Sequence, residues 1–138
     1  MQKDVFDEVM TREIEPFLGF KKPLFLYDYP AQRSALARIK PDDGRYAERF
    51  ELYMFGLEIC NGFSELTDPK EQRRRFEDER KNRIKMNKTI YPMPEKFLSS
   101  LNHMPGSSGN ALGIDRLVML LSNQKKIDDV AAFTPEEL

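Results

Sequence analysis

The chain has 138 residues, 40% of them hydrophobic, and its 22 Lys and Arg nearly cancel 23 Asp and Glu to leave a formal charge of −1. That length gives one ordinary domain around one core, and balanced charge offers no bulk attraction to a polyelectrolyte such as DNA. A single cysteine, Cys60, and a single histidine, His103, exclude an internal disulfide, a Cys/His zinc cluster and a CxxC redox centre, so any metal must have oxygen ligands.

In chain order, Val5, Phe6, Val9, Met10 and Ile14 recur at helical spacing and predict an amphipathic helix over residues 4–15 that stops at Pro16. No run here or later approaches the ~20 apolar residues needed to cross a bilayer, and Asp4, Asp7 and Glu8 stand where a secretory signal needs apolar residues, so a cytoplasmic chain is expected. The aromatic stretch 24–29 reads as a strand ended by Pro30, residues 34–39 as strand or loop, and Pro41-Asp42-Asp43-Gly44 as a turn. Residues 69–86 predict a charged helix with sparse apolar positions (Phe76, Ile84) and a broad solvated face, introduced by Thr67-Asp68-Pro69 as cap and first turn. A short helix over 95–103, a small-residue strand or loop over 107–113, an apolar helix over Ile114–Leu121 and a last short element over 127–133 complete the chain.

Between these lies the most informative segment. Residues 49–55 alternate, with Phe50, Leu52 and Met54 on one face and Glu51, Tyr53 and Phe55 on the other, and the pattern restarts at Leu57 and runs to Leu66. With Phe55-Gly56 as a two-residue turn, Tyr53 faces Glu58 across the hairpin. Glu51 is then the diagonal neighbour of Glu58 on the same face, about 7–8 Å away. Phe50, Leu52, Ile59 and Leu66 mark a core strand pair, in which unpaired carboxylates are costly, so Glu51 and Glu58 call for a divalent metal or a substrate ammonium. Strict alternation separates Glu58 from Asn61, Phe63 and Glu65, and all four can line one pocket only if a bulge lies between Glu58 and Asn61. A second feature is Ser108-Gly109-Asn110-Ala111-Leu112-Gly113-Ile114-Asp115-Arg116. It sets an arginine fork at a helix N-terminus after small residues, an arrangement that suits a phosphate.

Arg49-Phe50-Glu51, the run from Glu58 to Asp68, and the run from Gly109 to Arg116 together resemble the C-terminal half of a class II lysyl-tRNA synthetase catalytic domain, the last run being that class's motif 3 at 109–121. The sequence is more similar still to the short paralogues that act as elongation factor P–lysine lysyltransferases. Asp28-Tyr29-Pro30-Ala31-Gln32, the short spacer from Glu65 to Gly109, and Ala111 where lysyl-tRNA synthetases usually carry glycine favour that branch. The resemblance implies an α+β fold: an antiparallel sheet with the 49–66 hairpin at its centre and flanking helices, one domain over residues 1–138 forming part of a class II core.

It also implies roles. Glu51 and Glu58 correspond to acids that hold Mg²⁺ against ATP, Glu58 standing near the substrate's amino group as well. Leu52 corresponds to a backbone contact with the nucleotide, Gly113 to a contact with adenosine, and Arg116 to the catalytic clamp on the γ-phosphate. Asn61, Phe63, Glu65 and Ala111 correspond to the pocket for a lysine-type amino acid, Glu65 pairing with its side-chain ammonium and the Ala111 methyl favouring β-lysine over α-lysine. Cofactors are then ATP and Mg²⁺. The acceptor is a lysine of elongation factor P rather than tRNA, with a homodimer left open. Motif 1 and the Phe-Arg-x-Glu of motif 2 are absent, the nearest matches being Thr11-Arg12-Glu13 and Arg49-Phe50-Glu51, so the isolated chain is expected to be an inactive part of a ligase. Two other readings are a piece of a genuine lysyl-tRNA synthetase and a non-catalytic synthetase-like binding module. Cys60 reads as a small buried hydrophobe and His103 as a structural or surface residue.

Overall fold

A computed structural model describes residues 2–134. Four strands, β1 (Leu24–Pro30), β2 (Tyr46–Met54), β3 (Leu57–Ser64) and β4 (Ser108–Leu112), form an antiparallel sheet in the order β1-β2-β3-β4. The α-helices are α1 (Gln2–Val9), α2 (Pro69–Lys85), α3 (Glu95–Ser100) and α4 (Ile114–Leu121), so the α+β architecture is as expected. Among the described residues no helix is long and apolar enough to cross a membrane. The chain divides into two compact units: residues 2–26, 50–62 and 110–134, and residues 27–49 and 63–109.

In the first unit the expected helix over 4–15 is not continuous. After Val9 the backbone widens into a π turn over Met10–Ile14, with the amide of Glu15 donating to the Met10 carbonyl, and then tightens into a 3₁₀ turn over Glu15–Phe17. Pro16 sits in the first turn of that 3₁₀ segment, where a missing amide costs nothing. The loop that follows supports the hairpin. Phe55 and Gly56 both have positive φ (52° and 76°), the pairing a type I′ turn needs, and their amides donate to the carbonyls of Gly19 (3.2 Å) and Leu18 (2.8 Å). Gly19 has φ of 75°, and a Cβ there would stand 2.3 Å from the Tyr53 carbonyl oxygen.

Burial distinguishes the two faces of β2. Over residues 50–54 the side chains taken out of water are Glu51 and Tyr53, while Phe50, Leu52 and Met54 are only half-buried. Helix α4 has the expected limits, but Ile114, Val118 and Leu121, one stripe at i, i+4, i+7, are exposed and only Met119 is buried.

The second unit is held by polar grips. Isolated bridges join Ala37 to Glu65 and Ile39 to Ala47. Between them Arg38 donates its amide to the Ser64 carbonyl (2.7 Å) and accepts from the Glu48 amide (2.9 Å). Its guanidinium also meets the Glu48 carboxylate. Asp68 caps α2 by accepting from the amides of Lys70 and Glu71, with Pro69 in the first turn as predicted. Packing of α2 is not through sparse apolar residues alone. Gln72, 1% exposed, donates to the Ala35 carbonyl (3.1 Å), and Arg75 donates to the carbonyls of Ser34 (2.9 Å) and Ala37 (2.8 Å) while its Nε is held by Glu71 (2.9 Å). Hydrogen bonds from the Arg74 and Arg75 guanidiniums bring the Glu71 carboxyl down to about 2.

Gly19→Ala should lower unfolding stability by about 1–3 kcal/mol because the conformation and the close Tyr53 carbonyl both oppose a methyl. Gly44→Ala, whose added methyl meets nothing within 4 Å, should stay within about 0.5 kcal/mol in the same denaturant titration. Because the Glu71 carboxyl titrates lower folded than unfolded, its stabilisation is present above the unfolded value of about 4.3 and is lost as pH falls through about 2. The melting-temperature gap between the native chain and Glu71→Gln should therefore be widest above pH 5 and close toward pH 2; a gap constant over that range would contradict the ion pairing.

Candidate active site

Register places the acids. An unbroken hairpin around the two-residue turn would set Gly62 on the face opposite to Phe50, yet a Cβ on Gly62 would lie 2.6 Å from the Phe50 ring. Phe50 and Gly62 therefore share a face, and β3 carries one more residue than β2 between the turn and Gly62, as a bulge does. The paired burial of Ile59 and Cys60, which breaks alternation, falls in this stretch. Independently, in the second unit, Glu48 hydrogen-bonds Ser64, as the shifted register requires. The extra residue brings Asn61 onto the face that carries Glu51, Tyr53 and Glu58.

On that face Tyr53 donates its hydroxyl to Glu51 Oε2 at 2.6 Å, with Tyr53 1% and Glu51 6% exposed. Glu58 is more open. Arg116, in the first turn of α4, sends Nη1 to the Glu58 carbonyl (2.7 Å) and lies 3.9 Å from its carboxylate. Gly113 precedes that helix, and its amide donates to the Ile59 carbonyl at 2.9 Å, tying α4's start to β3. Glu58, Gly113 and Arg116 thus converge. Leu52 lies on the half-buried face of β2, away from Glu51, and Ala111 is exposed on β4.

Among the residues of the second unit, Phe63 and Glu65 are half-buried, and the Glu65 carboxylate occupies the space above Gly109, where a Cβ would come within 2.6 Å of Oε1. The glycines thus differ in purpose. Gly62 makes room for Phe50, itself edge-on to Phe25 at 5.7 Å, and Gly109 makes room for Glu65. A Cβ on Gly113 would find only ordinary contacts from 3.4 Å outward, so the chain's own packing does not demand glycine there. Cys60 is buried and His103 exposed, in keeping with structural and surface roles. Tyr53 is the residue that the alternation pattern did not single out. Its signal was only its i, i+2 spacing from Glu51 on one strand face.

A buried carboxylate and an arginine-braced one thus lie on one hairpin, next to a glycine that opens a helix. The chain belongs to the class II tRNA synthetases (D, K and N), whose family model matches residues 9–137. It is similar to proteins named elongation factor P–(R)-β-lysine ligase: 49% identical over 121 residues to that of Proteus mirabilis, covering 87% of this chain and 37% of the relative. Identity to the Pectobacterium carotovorum protein of that name is 46% over 129 residues (93% of this chain, 40% of the relative), and to the Erwinia tasmaniensis protein 49% over 122 residues (88% and 38%). The chain spans about two fifths of the length of these curated relatives.

Gly62→Ala should cost about 1–3 kcal/mol, since an aromatic ring must move. Gly109→Ala should cost less than about 1 kcal/mol, because only the end of the flexible Glu65 side chain must swing aside. Equal losses in denaturant unfolding would contradict this division.

Proposed function

We propose that these residues form part of an ATP-dependent ligase that activates a lysine-type amino acid, β-lysine in preference to α-lysine, and transfers it to a lysine of elongation factor P. The names of relatives at 46–49% identity support the substrate and the acceptor. The observation that carries the chemistry is the junction of Arg116 with Glu58, a fixed cation beside a carboxylate at the start of a helix.

In this reading the substrate carboxylate attacks the α-phosphorus of ATP in line, the bond to the bridging oxygen breaks, and pyrophosphate leaves. The acceptor amine then attacks the acyl carbon, loses its proton, and displaces AMP. Arg116 offers its remaining N–H donors to the γ-phosphate, where charge accumulates on the leaving group. Leu52 holds the nucleotide through its backbone, and Gly113 leaves a flat ring room to approach. Glu58 also receives the substrate's α- or β-amino group, Asn61 shapes its pocket, and Ala111 narrows it.

Among the described residues no group of three or more His, Cys, Asp or Glu side chains is placed to hold a metal. A nucleotide-borne Mg²⁺ needs less, since one or two carboxylates suffice when phosphate oxygens and water complete the shell. Glu51 and Glu58 fit that donor set. Bound there, Mg²⁺ would neutralise the phosphate oxygens as the leaving group gains charge. The α-phosphate cation that motif 2 supplies in the family is not encoded by these residues, which contribute the metal, γ-phosphate and amino-acid contacts within a larger catalytic domain.

Arg116→Ala should weaken ATP binding by roughly tenfold or more and leave AMP binding within about twofold, as measured by competition calorimetry. Equal losses for the two nucleotides would remove the γ-phosphate role. With the catalytic domain completed, (R)-β-lysine should be joined to elongation factor P in an ATP-dependent reaction seen by intact-protein mass spectrometry; transfer to tRNA alone would overturn the acceptor.

A further inference from the structure

Charge in this chain is balanced overall at −1 but not locally: residues 80–91 hold five of its 22 Lys and Arg (Arg80, Lys81, Arg83, Lys85, Lys88) and none of its 23 Asp and Glu. The stretch lies within the second unit, at the end of α2 and in the segment after it. Cations in a last helical turn suit the helix's negative end, which accounts for Arg83 and Lys85 but not for the apolar side chains beside them. Ile84, Met86, Ile90 and Tyr91 are 40–61% exposed. The segment is nevertheless folded. Asn87 takes a left-handed φ of 53°, its amide donates to the Ile84 carbonyl (3.0 Å), and the Lys88 amide donates to the Arg83 carbonyl (2.9 Å). Arg83 ties the returning chain down, donating Nε to the Thr89 carbonyl (2.6 Å) and lying over the Tyr91 ring at 4.7 Å. Lys81 is paired with Asp78 (3.0 Å), whereas Arg80, Lys85 and Lys88 are exposed and make no ion pair among the described residues.

We propose that residues 80–91 dock an acidic protein surface, that of the acceptor polypeptide, with Arg80, Lys85 and Lys88 meeting its carboxylates and Ile84, Met86 and Ile90 covering its apolar centre. Identifying the partner with the acceptor rests on the function proposed above. Two observations favour a protein over a nucleic acid. A single-strand binder stacks successive bases on several aromatic rings, and the one ring in this stretch, Tyr91, already has a guanidinium over one face. Exposed aliphatic side chains interleaved with cations give a phosphate backbone nothing to pack against, whereas a protein interface buries them at its centre with charges at the rim. The helix cap and the Arg83 grip hold the surface in shape before a partner arrives, so little is lost in ordering it. Rim charges act on encounter and apolar contacts on escape, which separates the two parts experimentally.

The test measures association and dissociation rates between the 138-residue chain and fluorescently labelled elongation factor P by stopped flow, with a urea titration of each variant as the check on folding. Lys85→Glu/Lys88→Glu should slow association about tenfold or more at low salt, the difference shrinking as salt rises. Ile90→Ser should leave association within about twofold and speed dissociation about fivefold. Lys125→Glu/Lys126→Glu, an exposed pair in the first unit, should leave both rates within about twofold. Unchanged rates in either of the first two variants, or equal losses in the two lysine pairs, overturn the docking surface and leave the acceptor reading standing. Absence of binding by the unsubstituted chain also overturns the inference, while transfer by the completed catalytic domain decides the acceptor separately. Binding of an oligouridylate RNA, or self-association in sedimentation, that depends on Lys85 and Lys88 when elongation factor P binding does not, assigns the surface to RNA or to a second copy and overturns the proposal.

Discussion

The ring of Phe50 resting on Gly62 is the contact on which the geometry of the first unit depends. A tight turn at Phe55-Gly56 fixes one end of the hairpin register, and the ring fixes the other one residue out of step. The mismatch must be absorbed inside β3, and it is absorbed where Ile59 and Cys60 lie buried together. Without it Asn61 would point away from Glu51. A bulge is a local cost in ladder hydrogen bonds, and here the Gly113 amide meets the Ile59 carbonyl within the same stretch.

Acid and base are handled differently in the two units. In the second unit charge is used for anchoring: Asp28 holds Lys40, Glu71 holds Arg74 and Arg75, and Arg75 reaches three backbone carbonyls of the 34–37 segment. Neutralisation there is mutual and local. In the first unit, the Tyr53 hydroxyl donates to the Glu51 carboxylate. Arg116 is held by a neutral carbonyl and stays nearly 4 Å from the nearest carboxylate. Polar groups held in fixed positions are what an electrostatic site requires.

Much of this was legible beforehand, and the failures have physical causes. The hairpin turn was readable because Phe-Gly interrupts two alternating runs, and the need for a bulge followed from counting faces between Glu58 and Asn61. Helix α4 was readable from the apolar run Leu117–Leu121, but not that its stripe is exposed, because burial depends on what packs against a face. The alternation of β2 identified two faces without saying which is covered. Hydrophobicity favoured Phe50, Leu52 and Met54, whereas the better-buried side is the polar one carrying Glu51 and Tyr53. The grip of Gln72 and Arg75 on the 34–37 segment left no mark, since polar residues at helical spacing look like a solvated surface until their backbone partners are known. The break in the first helix was hidden for a similar reason, as Pro16 shows where a helix must change but not how.

The bond from Arg116 to the Glu58 carbonyl has one more implication. An exposed arginine ordinarily surrenders considerable rotamer freedom when it captures an anion, and that loss is subtracted from affinity. With one arm moored to a strand backbone, much of the surrender has occurred before any visitor arrives. An incoming anion meets a stationary fork rather than a searching one. Lysine in the same place would match the charge but would offer a compact ammonium on a flexible stem in place of a rigid, planar fork.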